Sequence, residues 1–198
     1  MIDGEALWIK QARDGNDEAF GSLVEAYQKP VFNLCYRMFG NANDAEDASQ
    51  ESFIRAYRHL RRYDPKRSFA TWLLSIASNY CIDCLRKKQL TTMSTAVIPE
   101  ESIPDTAAPN PERKIFSLEK QSEIQTLLER INPTDKAAII FRYWYDYSEV
   151  EIAEALSLSV SAVKSRLFRA RRELAKLWLS SQPPNGVKER RPHESPAL

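Results

Sequence analysis

From Gly40 to Gly186 the chain contains no glycine, and eight of its 11 prolines fall in two groups, at 99, 104, 109 and 111 and at 183, 184, 192 and 196. Few folds are open to such a chain. Sheets need turn residues between strands, and glycine and proline are the residues that supply them. The long stretches also lack the Val/Ile/Thr alternation of a half-buried strand. The sequence therefore predicts an all-α protein of two small helical domains joined by a flexible linker. The first domain spans residues 1–90, with its compact part starting near residue 5. A Thr-, Ser- and Ala-rich linker follows over 91–112, then a second domain over 113–180 and a disordered tail over 181–198.

Apolar spacing places the helices. A helix capped by Asn43 or Asp44 buries Ala45, Ala48, Phe53, Ala56, Tyr57 and Leu60 at three- and four-residue intervals. Pro30 starts or kinks a helix carrying Val31, Leu34, Cys35 and Met38. Another runs from about Phe69 to Lys88 with Trp72, Leu73, Ile76, Ala77, Tyr80 and Cys84 as its apolar stripe. In the second domain Ser122–Ile131, Asp135–Tyr145, Glu149–Leu156 and Val160–Leu179 read as four helices.

The formal net charge of +1 hides an alternation. Residues 1–60 carry 6 basic and 10 acidic side chains, and residues 61–90 carry 7 and 2. The counts are 4 and 8 over residues 91–135, then 8 and 5 over residues 136–180. Two basic stretches separated by acidic ones fit two polyanion contacts and at least one non-nucleic partner surface, or plain solvated helix faces, which charge alone favours. No run reaches the roughly 18 apolar residues of a membrane span. Met1–Gln11 has neither the basic leader nor the apolar length of a signal peptide. With three cysteines in no framework spacing, the expected location is the cytoplasm.

The second domain carries a helix-turn-helix pattern: Glu149–Leu156, the turn Ser157-Leu158-Ser159, and a helix from Val160. Wrapped at 100° per residue, the second helix puts Val160, Val163, Leu167, Ala170 and Leu174 on one face. Ser161, Ala162, Ser165, Arg169 and Arg172 lie opposite, with Lys164 and Arg166 on the flanks. Small residues at its N-terminal end allow close approach to base edges, and the Ser159 and Ser161 hydroxyls can hold a phosphate. In the first domain Arg61-Arg62-Tyr63-Asp64-Pro65-Lys66-Arg67-Ser68-Phe69 is a basic, aromatic loop. Such a composition suits a melted strand, with cations on its phosphates and an aromatic surface for an unstacked base. Trp72, spaced with Leu73 and Ile76, reads as core; Phe69 is balanced between core and base contact. On the Asp44–Leu60 helix, Asp47, Gln50, Glu51 and Ile54 point away from the apolar stripe. An acidic face with one exposed Ile fits a protein better than DNA.

These segments have a joint resemblance. Asp44-Ala45-Glu46-Asp47-Ala48-Ser49-Gln50-Glu51-Ser52-Phe53 resembles the polymerase-clamp-binding segment of sigma-70-type RNA polymerase sigma factors. Ser68-Phe69-Ala70-Thr71-Trp72-Leu73-Leu74-Ser75-Ile76-Ala77-Ser78-Asn79 resembles their promoter-melting segment, followed by Asp83-Cys84-Leu85-Arg86. Glu151–Leu156 and Val163–Arg171 resemble their promoter-reading helices. Order and spacing are similar to the extracytoplasmic-function (ECF) subfamily, which keeps only two domains.

The resemblance implies that Asp47, Gln50, Glu51 and Ile54 dock on the polymerase clamp. It implies that Lys66, Arg67, Ser68, Phe69, Asn79, Arg86, Lys87 and Lys88 face the downstream promoter element. Ser159, Ser161, Ala162, Lys164, Ser165, Arg166, Arg169 and Arg172 would face the upstream one. Core RNA polymerase, promoter DNA as duplex and as melted strand, and an anti-sigma protein are the implied partners; no cofactor and no metal is implied. Departures from the family pattern are Asn132 before Pro133, Lys136 for a common Arg, and Asp146 and Ser157 where the family has loop glycines. Ser157 costs about 1 kcal/mol if its backbone is left-handed.

Other readings are weaker. Cys81-Ile82-Asp83-Cys84 lacks the second pair or nearby His of a zinc site, and fits small core residues one turn apart. Enzyme chemistry lacks support, with only His59 and His193 and no Gly-rich phosphate loop. The alternative is a stand-alone helix-turn-helix regulator, which would leave the first domain without a task.

Overall fold

The computed structural model describes residues 4–94 and 123–181; the expected linker and tail lie largely outside them. Four helices build the amino-terminal group: α1 (Glu5–Arg13), α2 (Asp17–Phe39), α3 (Ala42–His59) and α4 (Phe69–Ser94), with a 3₁₀ turn at Leu60–Arg62 between α3 and α4. Local chemistry sets the boundaries. The Asn16 side chain accepts a hydrogen bond from the Ala19 N–H at the start of α2, and Gly40 closes that helix at φ 84°. The Asn41 side chain caps α3 by accepting from the Asp44 N–H at 2.8 Å. This moves the cap two or three residues upstream of the Asn43 or Asp44 expected from sequence.

Pro30 does not start a helix; it lies inside the 23-residue α2. Tyr57, expected in the buried stripe of α3, is 46% exposed. Its ring meets Phe20 edge-on and its hydroxyl donates to Asp17 at 2.6 Å. The stripe is thus narrower than spacing implied.

The carboxyl-terminal group has a helical segment over 123–129 (α5), then α6 (Pro133–Trp144), α7 (Glu149–Ala155) and α8 (Val160–Ser181). Asn132 caps α6 through the Thr134 N–H, with Pro133 in the first turn, where a missing N–H is harmless. Ser148 and Glu151 form a reciprocal capping box on α7. Both family-glycine positions are left-handed, Asp146 at φ 52° and Ser157 at φ 54°.

The two groups are docked on one another, and one buried cluster runs through both. Helix α6 lies across α2 and α4, and α7 against α4. Polar contacts stitch the seam. The Tyr145 hydroxyl donates to the Pro30 carbonyl, and Arg86 donates to the Thr134 hydroxyl at 3.0 Å. The Thr71 hydroxyl meets that of Tyr147, and Gln125 donates to the Arg37 carbonyl. Arg37 also sits over the Trp144 ring, 5.1 Å from its centroid. None of these pairings is visible in sequence spacing.

Candidate nucleic-acid interface

The recognition-helix pattern is realised on α8. Val163, Leu167 and Ala170 are buried, with Val160 and Leu174 packed at the edge of the core. That fixes the outward face. Ser159, Ser161, Lys164, Ser165, Arg169 and Arg172 are exposed, and Ala162 is half-buried among them. The Ser159 hydroxyl accepts from the Ala162 N–H at 3.2 Å and lies 3.1 Å from the Ser161 hydroxyl, so the helix begins with two hydroxyls side by side. Lys164 reaches Glu149 at 3.6 Å, a loose pair between exposed side chains. Arg166 is different. Its guanidinium holds Asp135 of α6 at 2.6 Å, and both side chains are largely covered. It joins α8 to α6 before it can serve any ligand.

The loop from α3 to α4 lines a cleft of about 1000 Å³ that also takes residues from α1 and α2. Tyr27 and Tyr63 form its aromatic wall with Phe69 packed behind them, while Lys10, Arg13, Arg61 and Arg67 supply positive charge against Glu5 and Asp14. Tyr27 is held by a 2.6 Å hydrogen bond to the Glu5 carboxylate. Burial first, and that bond second, push its phenol far above the usual range. The Tyr63 hydroxyl donates to the Arg67 carbonyl, pinning the loop.

Phe69, balanced from sequence between core and base contact, packs as core. It is 1% exposed, with Tyr27, Tyr63 and Trp72 around it at 5.4 to 5.5 Å between centroids. A ring packed on three sides has no free face to stack on. Trp72 is half-buried, as its spacing indicated.

Lys66, Arg67, Ser68, Asn79, Arg86, Lys87 and Lys88 are all exposed. Two of these cations are engaged across the seam: Arg67 with Glu154 of α7 at 2.7 Å, and Arg86 with Thr134 of α6. Sequence reasoning missed Lys10 and Arg13 as cleft residues, while Arg61 belongs to the basic loop it singled out. The Ile9 and Ala12 spacing marks α1 as amphipathic, but where α1 packs is a tertiary fact.

On α3, Asp47, Gln50 and Ile54 are exposed, Ile54 at 45%, and Glu51 is half-buried. Glu51 pairs with Arg55 at 2.7 Å, and Arg55 in turn lies over the Tyr80 ring. An apolar residue ringed by acids and an amide suits a partner with apolar and basic groups. Among the described residues no three His, Cys, Asp or Glu are grouped to hold a metal ion, and no helix is long and apolar enough to cross a membrane.

Two family models match the chain in order, Sigma-70 region 2 over residues 23–91 and Sigma-70 region 4 over residues 121–174. The ECF RNA polymerase sigma factor SigW of Bacillus subtilis is 35% identical over 181 residues, covering 85% of this chain and 93% of that protein. The ECF RNA polymerase sigma-E factor of Haemophilus influenzae is 30% identical over 182 residues, covering 86% and 93%. Among solved structures, CnrH in complex with the cytosolic domain of CnrY matches with a TM-score of 0.64 at 25% identity, over 90% of this chain and 99% of that one. Both sigma-70 regions are thus matched in order along one chain, and the chain belongs to the ECF group of the sigma-70 family of RNA polymerase sigma factors.

Proposed function

We propose that the two helical groups divide promoter recognition between them. The α8 face of Ser159, Ser161, Ala162, Lys164, Ser165, Arg169 and Arg172 enters the major groove of the upstream element. The observation that carries this is the exposed run from the paired hydroxyls of Ser159 and Ser161 to Arg169 and Arg172, on a helix whose opposite face is buried. Small residues at the helix start approach base edges, while the arginines further along meet phosphate. Arg166 contributes by holding α8 on α6.

The downstream element is taken as a melted strand. An unstacked base enters the cleft beside Tyr27 and Tyr63, and Lys66, Arg67 and Ser68 hold its phosphates. Asn79, Arg86, Lys87 and Lys88 follow the duplex edge. Arg67 and Arg86 are tied to Glu154 and Thr134 in the docked arrangement, so DNA must displace those partners. The α3 face of Asp47, Gln50, Glu51 and Ile54 docks on core polymerase. The protein acts in the cytoplasm as a specificity subunit and performs no catalysis itself. An anti-sigma protein controls it, a reading supported by the likeness to CnrH, which was solved bound to CnrY.

Reconstituted transcription tests the whole reading. Purified protein is added to bacterial core polymerase and fragmented host DNA, and transcript 5′ ends are sequenced. A small set of new starts sharing two spaced elements is expected. No new starts, with operator binding by the protein alone, would make it a stand-alone helix-turn-helix regulator instead. The Arg169→Glu, Arg172→Glu double variant is expected to lose upstream-element binding and keep polymerase binding. Loss of both in a folded protein contradicts the division of labour.

A further inference from the structure

All three cysteines of the chain gather on two facing helices. The Cys81-Ile82-Asp83-Cys84 spacing puts two thiols one turn apart on α4, and the thiol hydrogen-bonded to Cys81 belongs to α2. Cys81 Sγ–H donates to Cys35 Sγ at 3.7 Å, and both residues are fully buried. Cys84, one turn further along α4, is only half-buried and hydrogen-bonded with Tyr80. Above the pair lies the second helical group. Tyr145 acts electrostatically on Cys35, and the Lys136 amine of α6 on Cys81.

We propose that Cys35 and Cys81 are a redox site, a dithiol that peroxide-class oxidants convert, through Cys84, to a disulfide tying α2 to α4. Two sulfurs already in contact need only a further approach to about 2.05 Å, the length of the bond. The buried pair is a poor first target, since its own hydrogen bond and its burial hold Cys81 as a thiol. Cys84 is the sulfur that solvent reaches. Peroxide oxidises the Cys84 thiol to a sulfenic acid and releases one water. The Cys81 thiol condenses with it, releasing a second water and forming a Cys81–Cys84 disulfide.

Helix neighbours three apart hold their Cβ atoms about 5–6 Å apart, wider than a relaxed disulfide accepts, so this first bond is strained and readily exchanged. Cys35 attacks Cys81, its proton passes to the departing Cys84 thiolate, and the bond ends between Cys35 and Cys81. The balance is one peroxide and two thiols to one disulfide and two waters. Redox-active pairs of this kind are the disulfides a reducing compartment tolerates.

The test uses the full-length reduced protein, exposed to hydrogen peroxide, quenched with a thiol-alkylating reagent and digested without reductant for mass spectrometry. A peptide linked through Cys35 and Cys81, released by dithiothreitol, is the expected product. Cys84→Ser should slow its formation about tenfold or more, because the remaining thiols are buried. Cys35→Ser should stop the reaction at the Cys81–Cys84 bond. Thermal melts confirm that each variant is folded, and the wild-type map stands whether or not they are. Recovery of Cys35 and Cys81 as free thiols, with only Cys84 sulfinic acid or Cys84-linked dimers, overturns the proposal. Oxidation of Cys84→Ser at the wild-type rate overturns the route through Cys84.

Discussion

Replacing Lys136 by Met is expected to stabilise the protein, by an amount that pH should erase. Lys136 sits in the first turn of α6 at 3% exposure, a rare place for an ammonium group. Burial lowers its pKa from 10.5 to about 8, against the opposing pull of Glu129 and Cys81. The gap of about 2.5 pH units, at about 1.36 kcal/mol each, is a cost to the native state of about 3 kcal/mol wherever the amine is charged in both states. Below pH 8 the cost is complete. From pH 8 towards 10.5 the unfolded chain binds the extra proton, so the wild type gains stability with rising pH.

Met fills a similar volume without charge, so Lys136→Met should gain about 3 kcal/mol at pH 7, or roughly 6–12 °C in Tm for a chain of this size. The assay is paired urea and thermal unfolding of both proteins at pH 7, 8 and 9.5. The difference should narrow by about 2 kcal/mol between pH 8 and 9.5, at about 1.36 kcal/mol per unit. Equal stability at pH 7, or a difference that does not move with pH, would refute the reasoning. It would mean that Lys136 is solvated, and that α6 does not lie on α4 in solution as described.

Gly40→Ala should cost about 1–2 kcal/mol, because the site is left-handed. Its new Cβ would also sit 2.6 Å from Glu129 Oε1 and 2.8 Å from Gln125 Nε2, disturbing the Gln125 bond to the Arg37 carbonyl; a melt with no shift argues against that seam. Ser157→Gly should gain roughly 0.5 kcal/mol, the relief of a left-handed Ser less the greater freedom of glycine in the unfolded chain. Destabilisation would mean that the Ser157 side chain does something else. Ser148→Ala should cost about 1 kcal/mol by opening the α7 capping box. Hydrogen bonds from the Ser148 hydroxyl and backbone hold the Glu151 carboxyl below its ordinary value. That contribution is present above the unfolded pKa of about 4.3 and is lost as pH falls through the depressed folded one, so the gap between wild type and variant should close in acid.

Most of the helices and their order were legible in the sequence, all but α1 and the first half of α2, because helix formation follows from local spacing, capping residues and the placement of glycine and proline. The buried face of α8 and the exposed run from Ser159 to Arg172 were legible for the same reason: a 100° repeat fixes the opposite face once one face is apolar. Local rules were also what misplaced the α3 cap, since Asn41, Asn43 and Asp44 are all competent caps and only the chain's path past Gly40 selects among them. The remainder came from packing. Whether Phe69 meets a base or the core depends on where Tyr27 arrives from α2 and how the loop before α4 folds Tyr63 onto the ring. The docking of α6 and α7 on α2 and α4 ties Arg67 to Glu154 and buries Lys136. The sulfur beside Cys81 comes from a residue 46 positions away. Spacing along a chain encodes which side of a helix is apolar; only packing decides which other apolar side it meets, and with it the neighbours of every charge and thiol along the seam.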